Sequence, residues 1–178
     1  NNLSADLDVL RPSMLETGLE TIAYNLNRQN NSISFFEIGK VYGKSNAGKY
    51  YESEQLAIYL SGKQQADGWR TKGTDQDYFV AKGTAIALLE LLGVKGVQEK
   101  TAPNGLTEFI WNKKTVGHVE SMGAKKLQAF GIKQGVQYIQ FDLAAILNAY
   151  QSKKVVYKEV SKYPSIERDL ALVIDKST

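Results

Sequence analysis

The spacing of hydrophobic and polar residues predicts four helices with strands between them. The first helix is expected at residues 13–28, because Ser13 and Glu16 have the spacing of a capping box. Its apolar residues recur at helical spacing and form one stripe: Leu15, Leu19, Ile22, Ala23 and Leu26. A second stripe predicts a helix that ends at Gly93, a residue suited to a left-handed helix stop: Ala81, Ala85, Leu88, Leu89 and Leu92. Shorter helices are predicted at residues 125–130 and 143–150.

Aromatic and β-branched runs predict strands at residues 35–42, 55–60, 108–111, 115–119 and 136–142. The first two are expected to pair as a hairpin, with Gly39 at a bulge. An apolar run at residues 170–174 predicts a further strand. It cannot bury both faces alone, so we interpret the tail as the opening of another domain. Helices and antiparallel-looking strands mix without a regular βαβ alternation, and the predicted fold class is α+β.

The composition is typical of a soluble globular protein. The chain has 178 residues, of which 43% are hydrophobic and 23% charged. A net charge of +3 creates no whole-chain field that would demand a nucleic acid or an anionic membrane. The absence of cysteine excludes disulfides and cysteine nucleophiles, and the cytoplasm is the expected location. No apolar run approaches the roughly 18 residues of a membrane span.

Candidate catalytic groups are few. Residues 43–45, Gly-Lys-Ser, are similar to the end of a phosphate-binding loop, but Ile38 stands where that motif requires glycine. His118 is the only histidine, which excludes a two-histidine metal site and a histidine relay within this chain. Three acidic pairs are interpreted as solvated: Asp6 with Asp8, Glu52 with Glu54, and Asp75 with Asp77. The sequence therefore predicts no catalytic, cofactor or metal site.

RNA binding is the alternative function that the sequence leaves open. Lysine doublets at residues 113–114, 125–126 and 153–154 could neutralise phosphates. Four aromatic residues could stack on bases: Tyr50, Tyr51, Trp69 and Trp111. Solvated turns and helix ends explain the doublets equally well, and packing is the commoner role of scattered aromatic residues.

Two ordered motifs resemble the bacterial phenylalanyl-tRNA synthetase β chain. The first comprises LSADLDVLRPSML at residues 3–15, NLNR at 25–28 and FEIGKVY at 36–42, where the family has NPLS…LRTSLLPGLL, NLNR and FEIGRVF. The second, YPSIERDLALV at residues 163–173, resembles the FPAVRRDLALVV opening of the family's anticodon-binding domain. Between them, DYFVAKG at residues 77–83 and IQFDL at 139–143 resemble the family's DFFDLKG and FELDL. The likeness extends over essentially the whole chain.

The resemblance implies a class II synthetase-like core, an antiparallel sheet flanked by helices, at residues 1–152. Residues 153–178 would be a linker and the truncated start of a ferredoxin-fold anticodon-binding domain. The implied parent is an α2β2 enzyme that uses ATP and Mg²⁺ to charge tRNA with phenylalanine, with the chemistry in the α chain. This chain alone is expected to bind no cofactor and to be inactive, because residues 43–45 stand where a working site would place an arginine and an acidic residue.

The resemblance also implies the partners. The α chain is the expected partner, tRNA is reached through the parent complex, and neither DNA nor a membrane is expected. The apolar stripe of the first helix is the candidate subunit interface, although it could equally well cover the sheet: Leu15, Leu19, Ile22 and Leu26. Arg168 lies in the anticodon-domain motif and could contact tRNA in the full chain, or pair with Asp169 or a neighbouring carboxylate.

Overall fold

A computed structural model of the protein describes residues 9–103, 105–151, 157, 159, 162 and 168–170. Within these residues the elements, in chain order, are α1 Leu15–Leu26, β1 Ile33–Lys44, β2 Tyr50–Ser61, α2 Tyr78–Leu91, β3 Gln98–Thr101, β4 Thr107–Trp111, β5 Lys114–Ser121, α3 Ala124–Ala129, β6 Val136–Asp142 and α4 Leu143–Gln151. The strand predicted at residues 170–174 lies outside the described residues except for its first position. In this part of the chain, no helix is both long and apolar enough to cross a membrane.

The strands form one antiparallel sheet in the order β1-β2-β6-β5-β4-β3, which confirms the predicted fold class. The hairpin of β1 and β2 pairs continuously from Ile33 opposite Ser61 to Lys44 opposite Tyr50. Gly39 pairs regularly in this ladder, so the bulge expected there is wrong. A register shift occurs instead in β4, between Phe109 and Ile110. Strand β3 was not predicted, because its four exposed residues lack the apolar alternation that marks a strand.

Local signals set the boundaries of several elements. The Ser13 hydroxyl accepts a hydrogen bond from the Leu15 amide at 2.9 Å, but α1 begins at Leu15 with Met14 as its N-cap residue and without a side-chain cap, so the helix starts two residues later than predicted. Asp77 caps α2 by accepting from the Val80 amide at 2.9 Å, and Gly93 follows that helix with a φ of +69°. The turn between β4 and β5 has φ values of +48° at Asn112 and +64° at Lys113, the conformation of a two-residue type I′ hairpin.

One face of the sheet, the α1 face, is covered by α1 and α3. Its centre is Tyr59, whose ring stacks on Phe35 with 4.5 Å between ring centroids. The Tyr59 hydroxyl donates to the Met14 carbonyl at 2.6 Å. Gly18 makes this approach possible, because a Cβ at that position would overlap the Tyr59 ring. Helix α1 therefore contacts the sheet closely at Gly18, where it has no side chain.

The opposite face, the α2 face, is covered by α2 and α4. Phe109 of β4 and Phe141 of β6 stack there with centroids 5.9 Å apart. Buried residues from both helices pack on them: Ala81, Ala85, Leu89, Ile146 and Ala149. At the β1 end of this face, Phe36 is 68% exposed and Ile38 is 56% exposed. The α2 face is thus closed over its centre and open over its outermost strand.

Candidate functional site

The apolar stripe of α1 packs within the protein's own core. Leu19 and Ile22 are completely buried on the α1 face, and Leu15 and Leu26 are partly buried against the same cluster. The stripe therefore covers the sheet, which was the alternative interpretation of the pattern. Because Leu19 and Ile22 are inaccessible, they offer no exposed surface to another chain. A subunit contact at Leu15 and Leu26, the partly buried residues of the stripe, stays a prediction.

Arg11 forms a polar cluster at the outer edge of β1. Its Nη1 donates to Glu37 Oε1 at 2.7 Å and its Nε donates to the Lys40 carbonyl at 2.9 Å. The Tyr42 amide donates in turn to the Arg11 carbonyl at 3.0 Å. The guanidinium crosses the strand at Gly39, where a Cβ would overlap it. This cluster was not predicted from the sequence, and a glycine inside a regular strand was the signal that could have indicated it.

A row of polar residues crosses the α1 face on β4, β5 and β6. His118 lies opposite both Glu108 and Gln140 in the strand ladders. Its ring lies edge-on to Tyr138, with centroids 5.9 Å apart, and the Tyr138 hydroxyl donates to Gln140 Oε1 at 2.7 Å. Burial lowers the pKa of His118, and the Glu108 carboxylate opposes that shift. A histidine with a lowered pKa is mainly neutral at pH 7.

The tyrosines beside this row remain protonated. Burial raises the pKa of both Tyr59 and Tyr138 well above the ordinary value of 10. Their hydroxyls already donate to the Met14 carbonyl and to Gln140.

On β2, Gln55 has a buried Oε1 without a hydrogen-bond partner among the described residues. Apart from the Glu108 carboxylate, the row thus contains neutral groups and an aromatic edge, and it does not pair a nucleophile with a base in the way that covalent catalysis requires.

The arginines of the described core are engaged in local contacts. The Arg28 guanidinium lies 3.3 Å from the centroid of the Tyr24 ring, and that of Arg70 lies 5.1 Å from the centroid of Trp69. Arg11 is held by Glu37 and Lys40. Arg168 is exposed, and no ion pair with Asp169 occurs among the described residues. A tRNA contact by Arg168 stays a prediction.

The other candidate groups of the sequence are spread over the molecule. Lys126 pairs with Glu16 at 2.6 Å, and Glu52 pairs with Lys40 at 2.9 Å. The doublet at residues 113–114 lies at the β4–β5 turn, whereas Asp6, Asp8 and the doublet at 153–154 lie outside the described residues. Within the described part of the chain, no cluster of acidic or histidine side chains could hold a metal ion. The structure therefore does not bring these groups together.

Residues 43–45 do not form a phosphate-binding loop. Gly43 and Lys44 are the last residues of β1. The Ser45 amide donates to the Lys49 carbonyl at 2.8 Å, and the Ser45 hydroxyl accepts from the Lys49 amide at 3.2 Å. These contacts close the hairpin loop on itself.

An exposed apolar surface lies on the α2 face above β1 and β2. Phe36 and Ile38 border a groove of about 450 Å³ there. Its other lining residues come from β1, β2 and α2: Ser34, Phe35, Leu56, Ile58, Leu60, Thr84 and Leu88. The sequence predicted an exposed apolar surface on α1, whereas the structure places one on the first strand. The run Phe35-Phe36-Glu37-Ile38 carried the signal, because it places apolar residues on both faces of one strand.

The arrangement of strands and helices is that of a class II aminoacyl-tRNA synthetase core. Two structures of pyrrolysyl-tRNA synthetase from Desulfitobacterium hafniense are similar to it, each with a TM-score of 0.60. They cover 79% and 82% of this chain and 50% and 52% of their own, at 18% and 19% sequence identity. At such low identity the likeness shows the fold alone.

Sequence comparison assigns the family. The family model described as phenylalanyl tRNA synthetase beta chain CLM domain matches residues 1–143. The phenylalanine–tRNA ligase beta subunit of Bacteroides thetaiotaomicron is 33% identical over 99% of this chain and 23% of its own length. That of Bacillus subtilis is 29% identical over 98% of this chain and 22% of its own. The chain belongs to the phenylalanyl-tRNA synthetase β chain CLM domain family, and it spans under a quarter of the length of these relatives.

Proposed function

We propose that this chain is a non-catalytic, subunit-interaction module of a phenylalanyl-tRNA synthetase β chain. In this proposal the parent is a cytoplasmic α2β2 enzyme that charges tRNA with phenylalanine, and its α chain uses ATP and Mg²⁺ for the chemistry. The module itself would bind neither ATP nor Mg²⁺, and it would reach tRNA only through the parent. Family membership supports the assignment to a β chain.

The observation that supports the non-catalytic part is that the Arg11 guanidinium is already bound within the chain. Synthetase chemistry requires positive groups free to hold a triphosphate and the charge that develops in the transition state. Arg11 is the described arginine that contacts the sheet, and it is bound by Glu37 and the Lys40 carbonyl. At the end of β1, Gly43 has no side chain, and the Cβ that another residue would carry there would meet the Tyr51 ring at 2.5 Å. This packing favours a structural role for the sheet face.

Pyrophosphate exchange by the isolated chain tests the non-catalytic part. With ATP, Mg²⁺ and phenylalanine present, we expect no exchange above a blank without protein. The assembled α and β chains serve as the positive control. Phenylalanine-dependent exchange by this chain alone would overturn the proposal.

Co-purification with the cognate α chain tests the interaction part. Tagged α chain and untagged module are co-expressed, captured through the tag and analysed by size-exclusion chromatography. We expect the two chains to elute together in equal amounts. The module's circular dichroism, recorded alone, confirms that it is folded. A folded module that never elutes with the α chain would contradict an interaction role.

Binding to tRNA in a salt series separates this proposal from an autonomous RNA-binding module. Each phosphate neutralised by a lysine contributes to the slope of log affinity against log salt. Lys126 is already paired with Glu16, and the described doublets lie on separate elements. We therefore expect weak binding with a shallow slope. Micromolar affinity with a steep slope would favour the RNA-binding alternative.

A further inference from the structure

The outer edge of β1 has backbone groups that bond to no other residue in the part of the chain that the structure describes. In an antiparallel strand, successive residues direct their N–H and C=O groups alternately toward and away from the neighbouring strand. The Tyr42 amide and the Lys40 carbonyl both bond to Arg11, on the side away from β2. The pairing of β1 with β2 is uninterrupted, and Ser34, Phe36 and Ile38 each lie an even number of positions before Lys40. Their backbone N–H and C=O groups therefore also point away from β2. No described residue bonds to these groups, and β1 ends the sheet.

The open stretch is short and has a defined end. Arg11 occupies the edge from Lys40 to Tyr42, which leaves residues 34–38. At about 3.4 Å per residue, this stretch offers roughly 17 Å of unpaired edge. Phe36 and Ile38 stand on it, 68% and 56% exposed, beside the apolar groove of the α2 face. An unpaired and apolar edge of this kind is a template for another extended strand.

We propose that the strand that pairs with this edge is β1 of a second copy of the chain, antiparallel, about a twofold axis through Phe36. The open stretch is centred on Phe36. The same stretch of a second chain, running antiparallel, therefore has the same length and places its outward N–H and C=O groups opposite those of the first chain. Ser34 then lies opposite Ile38 of the partner subunit, and Phe36 opposite its own counterpart. Each such pair exchanges two backbone hydrogen bonds, which satisfies every outward group of the stretch. The contact is isologous and closes as a dimer.

The side chains are compatible with this pairing. Glu37 is the charged residue of the stretch, and an axis through Phe36 places it opposite Phe35 of the partner subunit, so like charges do not face each other. Glu37 also keeps its own ion pair with Arg11. On the α2 face the two Phe36 rings become cross-strand neighbours, a favourable arrangement for aromatic residues. The contact uses only this chain, so it does not depend on the proposed α-chain role.

Sedimentation of charge variants at residue 36 tests the twofold axis. For the wild-type chain we expect the apparent mass to double as concentration rises. Phe36→Lys and Phe36→Glu each place like charges opposite each other across the twofold axis. We expect each variant alone to self-associate at least about tenfold more weakly than the wild type. A mixture of the two variants should dimerise again. Leu91→Lys, at a residue 79% exposed on α2, is the matched control and should dimerise like the wild type.

Amide exchange locates the contact independently. In dilute solution the outward amides of Ser34, Phe36 and Ile38 should exchange fast, while the amides of Phe35 and Glu37, which face β2, are protected. At high concentration the three outward amides should become protected. A wild-type chain that stays monomeric, a dimer that survives Phe36→Lys, or a variant mixture that stays monomeric would overturn the proposal. Protection of these amides only when the α chain is added would also overturn it, and would assign the edge to that chain.

Discussion

Phe35 and Phe36 are adjacent in sequence and identical in chemistry, yet they lie on opposite faces of the sheet in very different surroundings. Phe35 stacks on Tyr59 beneath α1, whereas Phe36 is 68% exposed on the α2 face. The difference comes from the helices. Tyr59 and Gly18 hold α1 over the first hairpin, while α2 and α4 pack on residues of β2, β4, β5 and β6 and leave β1 uncovered.

The two faces of one hairpin therefore differ in packing and exposure. The α1 face is a closed core, in which a buried tyrosine and a glycine fix the helix position. The α2 face continues the core at its centre and becomes an accessible apolar surface at β1. An exposed apolar patch beside an unpaired strand edge indicates an interaction surface. The comparison can be tested by substitutions placed on each face in turn.

Leu19→Asp should have the largest effect, because it places a carboxylate where the side chain is completely buried on the α1 face. An unpaired buried charge is expected to cost about 4 kcal/mol or more, a large part of the stability of a typical domain. Thr21→Asp, on the exposed surface of the same helix, should change stability by only about 0.5 kcal/mol. Urea unfolding of both variants measures the difference. Equal stability of the two variants would contradict the burial of the stripe.

Phe35→Ala and Phe36→Ala compare the two faces directly. Phe35 is partly buried against Tyr59, so its truncation should destabilise the chain by about 2–3 kcal/mol, somewhat less than for a fully buried phenylalanine. Truncation of Phe36 should cost less than about 1 kcal/mol, since little apolar area is lost. Unfolding is measured at dilutions where the chain is monomeric, so that self-association does not stabilise the wild type. A cost at Phe36 that equals the cost at Phe35 would mean that the α2 face is closed there.

Most elements could be predicted from the sequence, because each has a local signal. The stripe of α1 and the stop at Gly93 are properties of neighbouring residues, and the structure confirms them. The edge strand β3 was missed, because its residues are polar and its conformation is set by pairing with β4. The bulge expected at Gly39 was wrong for a related reason. That glycine makes room for Arg11, a residue 28 positions earlier in the chain.

The candidate surface could be predicted only in part. Helical spacing shows that Leu15, Leu19, Ile22 and Leu26 share one side of a helix, but not whether that side faces the sheet or a partner. The exposure of Phe36 depends on where α2 stops relative to β1, which no local pattern determines. The family motif contains Phe36 and Ile38 within FEIGKVY. Their accessibility became visible only with the sheet order and the packing of the helices.

Gly18→Ala should have a smaller effect whose sign depends on Tyr59. In a helix interior, alanine is favoured over glycine by about 1 kcal/mol. Here the new Cβ would overlap the Tyr59 ring, and overpacking of this kind costs about 1–3 kcal/mol. We expect a net loss of about 1 kcal/mol in the wild-type background. In a Tyr59→Leu background the same substitution should be neutral or stabilising, and a double-mutant cycle measures the coupling.

The smallest effect is expected from His118, as a dependence of stability on pH. Burial lowers the pKa of this histidine below its ordinary value of 6.5, so the unfolded chain binds the proton more readily than the folded chain. Stability should therefore fall as the pH drops below about 6.5, until the lower pKa of the folded state is reached. Glu16, whose carboxyl forms a hydrogen bond with Lys126, has a pKa below 4.5 despite the opposing effect of burial, and it contributes only in more acidic solution. Urea unfolding midpoints at pH 7.5 and 5.5 should differ more for the wild type than for His118→Gln. Equal differences in the two proteins would contradict the prediction, because they would show that His118 binds protons equally well in the folded and unfolded chains.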